Sequence, residues 1–178
     1  MSRIFCALTC SPLLLLAAPG AAQQPHDHGG DAACPAPEEL SPSLAGWRET
    51  APLTAAGDRK ALKTTALAIG QAAEVALLQT PRVAYPVRPA KPGGTVSYGG
   101  MLRFSVAEEG VYRVALGAAP WVDIVRDGVA LPSVAHGHGP ECSGIRKMVD
   151  YRLTPGDYVL QIAANGTETV AVMVAREP

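Results

Sequence analysis

From Met101 onward apolar residues alternate with polar ones in short runs divided by turn residues, and that period of two commits the chain to half-buried β-strands. Leu102, Phe104 and Val106 share one face while Arg103 and Ser105 point away. Glu109-Gly110 then turns the chain into Tyr112, Val114 and Leu116. A run from Trp121 to Arg126 meets Asp127-Gly128, a strong two-residue hairpin signal, and continues as Val129 to Val134. Val149, Tyr151 and Leu153 alternate with Asp150 and Arg152. Pro155-Gly156-Asp157 turns into Tyr158, Leu160 and Ile162, and Asn165-Gly166 into Val170, Val172 and Val174. Upstream, residues 61–79 mix helix formers with Thr64-Thr65 and a central Gly70, which favours two strands about a turn, Val75 and Leu77 lying on an edge strand. Residues 81–100 read as a Pro/Gly loop carrying Tyr85 and Tyr98. The pattern sums to about eight or nine antiparallel strands, whose natural closure is an all-β two-sheet sandwich or jelly roll.

The first 22 residues have the layout of a secretory leader: Arg3, an apolar run ending in Leu13 to Leu16, and small residues up to a cleavage site near Ala22. That run is shorter than the roughly 18 residues of a membrane span, so the expected product is exported, periplasmic or secreted, and does not span the membrane. Residues 23–60, rich in Pro, Ala and Gly, read as an irregular arm that leads into a sandwich domain over residues 61–178. Loss of the leader removes Cys6 and Cys10 and leaves Cys34 and Cys142. In an oxidising compartment an even pair reads as one disulfide tying the arm to the body.

The charge balance, 15 basic against 16 acidic residues with no long run of either sign, argues against a nucleic-acid partner. An unidentified small molecule or an envelope protein is the expected partner. With no Gly-rich phosphate loop, no GxSxG and no paired-carboxylate motif, a hydrolase is hard to build.

Chemistry concentrates in His136-Gly-His138-Gly-Pro140-Glu141-Cys142-Ser-Gly144. His136, His138 and Glu141 are the donor types of a non-haem Fe(II) facial triad. His136, His138 and Cys142 would instead suit copper or zinc, provided that the thiol is free. The third alternative is structural: glycines turn the loop, the histidines bond backbone groups, and Cys142 clips it to the arm. His26-Asp27-His28 with Asp31 forms a second small cluster near Cys34. Trp121 is either a core residue or an exposed ring able to stack on a sugar. Arg146, Lys147, Asp150 and Arg152 read as a solvated strand face.

The runs GVYRVALGAAPWVDIVRDG and VAHGHGPECSGIRKMVDYRLTPGDYVLQIA resemble a group of short exported bacterial proteins that often carry the name homogentisate 1,2-dioxygenase, with HGHGPxCSGIRKM as the distinctive core. The strand and turn order of the C-terminal part is also similar to pre-peptidase C-terminal domains, which are non-catalytic β-sandwich modules. The first resemblance implies Fe(II)-dependent cleavage of homogentisate, and the second implies binding without catalysis.

Overall fold

The computed structural model describes Cys34 and residues 39–178; the leader and the His26-Asp27-His28-Asp31 cluster lie outside the described residues. The strands are β1 (Ala51–Thr54), β2 (Ala73–Ala76), β3 (Leu78–Gln79), β4 (Tyr98–Val106), β5 (Gly110–Leu116), β6 (Trp121–Arg126), β7 (Val129–Ala130), β8 (Ala135–Gly137), β9 (Lys147–Leu153), β10 (Gly156–Asn165) and β11 (Thr169–Arg176). They form a six-stranded sheet in the order β1-β2-β11-β5-β9-β8 and a five-stranded sheet in the order β3-β4-β10-β6-β7. Every pairing is antiparallel except β1 with β2. The chain is therefore an all-β two-sheet sandwich. No helix among the described residues is long and apolar enough to cross a membrane.

The alternating residues of β4, β5, β9, β10 and β11 fill the space between the sheets, with Leu102, Val114, Leu160, Ile162, Val172 and Val174 all fully buried. Each such side chain contributes about 1.5–3 kcal/mol by leaving water. The opposite face of the six-stranded sheet carries a second apolar cluster, in which Ala115, Met173 and Ala175 meet Leu44, Trp47 and Ile145. Leu44 and Trp47 belong to a 3-10 segment, Pro42–Arg48, so the arm lies on the sheet as a cover.

The structure departs from the sequence reading in several places. Residues 51–54, assigned to the irregular arm, form β1, and their pairing places β2 inside the sheet instead of at its edge. Residues 61–64 form a 3-10 turn, not a strand: Asp58 Oδ1 accepts from the Ala61 amide, and the hydroxyls of Thr64 and Thr65 donate to the carbonyls of Ala61 and Leu62. Such local bonds compete with ladder pairing. β4 begins at Tyr98, within the expected loop. A Cβ at Gly99 would collide with the Tyr85 hydroxyl and the Ile162 carbonyl, so glycine there admits the covering loop. Asp127 and Gly128 both have positive φ, 52° and 78°, as a type I′ hairpin turn requires. β7, expected to reach Val134, stops at Ala130 shortly before Pro132, which has no amide for the ladder.

Candidate functional site

The histidine segment begins on β8, an edge strand of the six-stranded sheet in which His136 pairs with Val149. His138 follows β8, and its Nδ1–H donates to the Arg146 carbonyl at 3.1 Å. The chain then turns back tightly. A Cβ on Gly139 would run into the Ile145 side chain and carbonyl, and Cys142 and Gly144 both take positive φ. Ser143 braces the turn: its hydroxyl donates to the Pro140 carbonyl at 2.6 Å and accepts from the Ile145 amide at 3.1 Å.

Three independent ties hold this loop to the arm. Cys142 is joined to Cys34 by a disulfide, with Cα atoms 5.6 Å apart. Trp47 Nε1 donates to the Ser143 carbonyl at 3.0 Å, and Ile145 is buried beside Leu44 and Trp47. His136, His138 and Glu141 are exposed around this clasp. Among the described residues, no three His, Cys, Asp or Glu side chains gather to hold a metal ion. The iron set His136, His138, Glu141 is thus not assembled. The copper or zinc set lacks its thiolate, because the Cys142 sulfur is bonded.

Beside His136 lies an indentation of about 130 Å³ lined also by Arg113 and Asp150. Its charges are already matched. Arg113 makes two 2.8 Å bonds to the Asp150 carboxylate and a 2.9 Å contact with Glu177, whose other oxygen accepts from Ser43 Oγ at 3.0 Å. The bond to Asp150 raises the Arg113 pKa above its ordinary value. Asp150, read as part of a solvated face, is instead 9% exposed. The sequence hides this, because Arg113 and Asp150 face each other only through the β5–β9 register.

The large concavity lies on the outer face of the other sheet. It is an open groove of about 970 Å³, within the upper range of small-ligand sites. Register puts exposed Arg103, half-buried Val159 and buried Val125 side by side across β4, β10 and β6, with Met101 buried beside them. One wall is the segment with Asp58, Arg59, Leu62 and Lys63, fixed to β4 by bridges through Ala56 and Ala66. Another is Tyr85-Pro86, held by a 2.7 Å bond from the Tyr85 hydroxyl to the Ile162 carbonyl. Burial pushes the Tyr85 pKa up to about 12, so the hydroxyl stays a donor.

The loop after Tyr85 is clamped by Gln161, fully buried on the outer face of β10, which accepts from the Val87 amide and donates to its carbonyl. Further along, Trp121 is half-buried on this same outer face, while Val122 and Ile124 fill the core. Its Nε1 donates to both Asp123 oxygens, and the ammoniums of Lys91 and Lys147 lie 5.5 and 5.9 Å from its ring centre. The tryptophan is thus a polar-faced anchor, neither a core residue nor an open sugar platform. Burial raises the Asp123 pKa against the hydrogen bonds from Trp121 and Gln161, and burial also lowers that of Lys147, with Lys91 adding to the effect.

No protein-family model matches this chain, and no curated protein matches it with significant similarity.

Proposed function

We propose that this protein is an exported binding module, carried out of the cytoplasm by the leader over residues 1–22 and active through the groove on its five-stranded sheet. The observation that carries this reading is the groove itself, in which half-buried Val159 and Leu62 and exposed Pro86 lie beside arginine, lysine and aspartate side chains. The clasp role of the histidine loop supports it from the other side, since Cys142, the His138 Nδ1 atom and the turn backbone are all engaged in anchoring. An open-site iron centre needs three ligands fixed around one point. His136, His138 and Glu141 do not offer that arrangement. The resemblance to non-catalytic sandwich modules accords with this reading, whereas the dioxygenase label demands the unassembled triad.

Oxygen uptake provides the test. Purified protein supplied with homogentisate and Fe(II) is expected to consume oxygen no faster than Fe(II) and homogentisate alone. Uptake that depends on the protein and is lost in His136→Ala would overturn the proposal.

A further inference from the structure

We propose that the Cys34–Cys142 bridge builds an exchangeable site for a divalent transition metal of the zinc and copper class, with His26, His28, His136 and His138 as its ligands. The site goes beyond the binding-module reading: it lies at the clasp, on the other sheet from the groove, and does not depend on what the groove binds.

The distribution of imidazoles carries the inference. The chain has four histidines, and all of them lie within eight positions of one bridged cysteine or the other. His26 and His28 precede Cys34 by eight and six positions, and His136 and His138 precede Cys142 by six and four. The two cysteines are 108 positions apart in sequence, yet their Cα atoms are 5.6 Å apart. Six residues of chain span at most roughly 20 Å and four at most roughly 14 Å, so His28 has enough chain beyond Cys34 to meet His138. The bridge thus turns two remote HxH pairs into neighbours.

The described half of the site is prepared for an ion. His136 on β8 and His138 just after it are two positions apart, which on an extended chain directs both rings to one side, and both are exposed. The Arg146 carbonyl can only accept, so His138 keeps its proton on Nδ1 and leaves the Nε2 lone pair free. Histidine ligands are ordinarily oriented in this way, through a bond from the other ring nitrogen. Two imidazoles hold a divalent ion weakly, and among the described residues no third His, Cys, Asp or Glu joins them. The pair tethered at Cys34 supplies the missing donors at the roughly millimolar effective concentration of a short linker. Imidazole donors select zinc and copper over magnesium and calcium. Exposure of His136 and His138 lets the ion exchange with solvent, so protein purified without added metal holds less than one ion per chain.

The test is a titration of zinc sulfate into the oxidised exported protein, followed by calorimetry and by the histidine ring signals in NMR spectra. One zinc per chain is expected, with all four ring signals shifting together and magnesium chloride shifting none. His136→Gln, at a ring without a hydrogen-bond partner among the described residues, should weaken binding about tenfold, and His26→Gln with His28→Gln about 100-fold, the gain that tethering confers. Cys34→Ser with Cys142→Ser removes the bridge without leaving a thiol to bind zinc, and should weaken binding about tenfold or more. Wild-type-like thermal unfolding of the histidine variants shows that their loss is local.

Ring shifts confined to His136 and His138, or an affinity unchanged by loss of His26 and His28, would overturn the proposal, as would the absence of zinc binding. So would binding that appears only after reduction, which would hand the ion to the Cys142 thiolate. A zinc-dependent dimer would also overturn it, because histidine pairs of two molecules would then share the ion.

Discussion

Replacing Cys142 by serine is expected to lower the stability of the oxidised protein by about 2–5 kcal/mol, the largest effect of any single change outside the main core. The two cysteines lie 108 positions apart, so the bridge removes the closure entropy of a long loop from the unfolded chain. Native contacts survive its loss. Trp47 still donates to Ser143, and Ile145 still packs on Leu44 and Trp47, so the variant should fold with the same sheets. Urea unfolding of wild type, Cys34→Ser, Cys142→Ser and the double variant checks this. Because each single change deletes the same bond, the double variant should lose no more than either one. Additive losses would show that the cysteines act separately.

Asp150→Ala should cost about 2–4 kcal/mol, a figure below the full penalty for breaking a buried ion pair because the Arg113 side chain remains 21% exposed. The change strips the guanidinium of two hydrogen bonds and leaves it with Glu177 alone. Replacing both partners, as Arg113→Met with Asp150→Leu, should recover much of the loss, since no unmatched charge then remains on the sheet. Chemical denaturation of the two singles and the double gives the coupling directly. Denaturation midpoints unchanged by Asp150→Ala would contradict the structural role given to the pair.

The alternation of Leu102-Phe104-Val106 on one sheet and of Tyr112-Val114-Leu116 on the other made both halves of the main core legible, because one buried face per strand leaves a period of two in the sequence. Asp127-Gly128 was equally plain, since few residue pairs tolerate two positive φ angles in succession. β1 was not legible. Its residues, Ala51-Pro52-Leu53-Thr54, carry no alternation, and its place is set by parallel pairing with β2. The second apolar cluster was obscured for a related reason: β11 is covered on both faces, so Val172 to Ala175 are all buried and the period vanishes there.

For the site, the sequence drew attention to the histidine loop and left the groove on the other sheet unmarked. His136, His138 and Glu141 stand out by residue type, yet the fold uses their loop as a fastening for the arm. Arg103 had one visible signal, its outward place between Leu102 and Phe104. Nothing local indicated that Arg59 and Lys63 would lie across a groove from it, because that neighbourhood is made by β4 and a turn some 40 positions earlier.

The division of labour between a fastened histidine loop and a ligand groove is tested most directly by counting free thiols and bound metal in the native, unreduced protein. No free thiol among Cys34 and Cys142, and no metal in stoichiometric amount, is the expected result. Two free thiols together with one tightly held iron or copper per chain would contradict it and return the chemistry to His136 and His138.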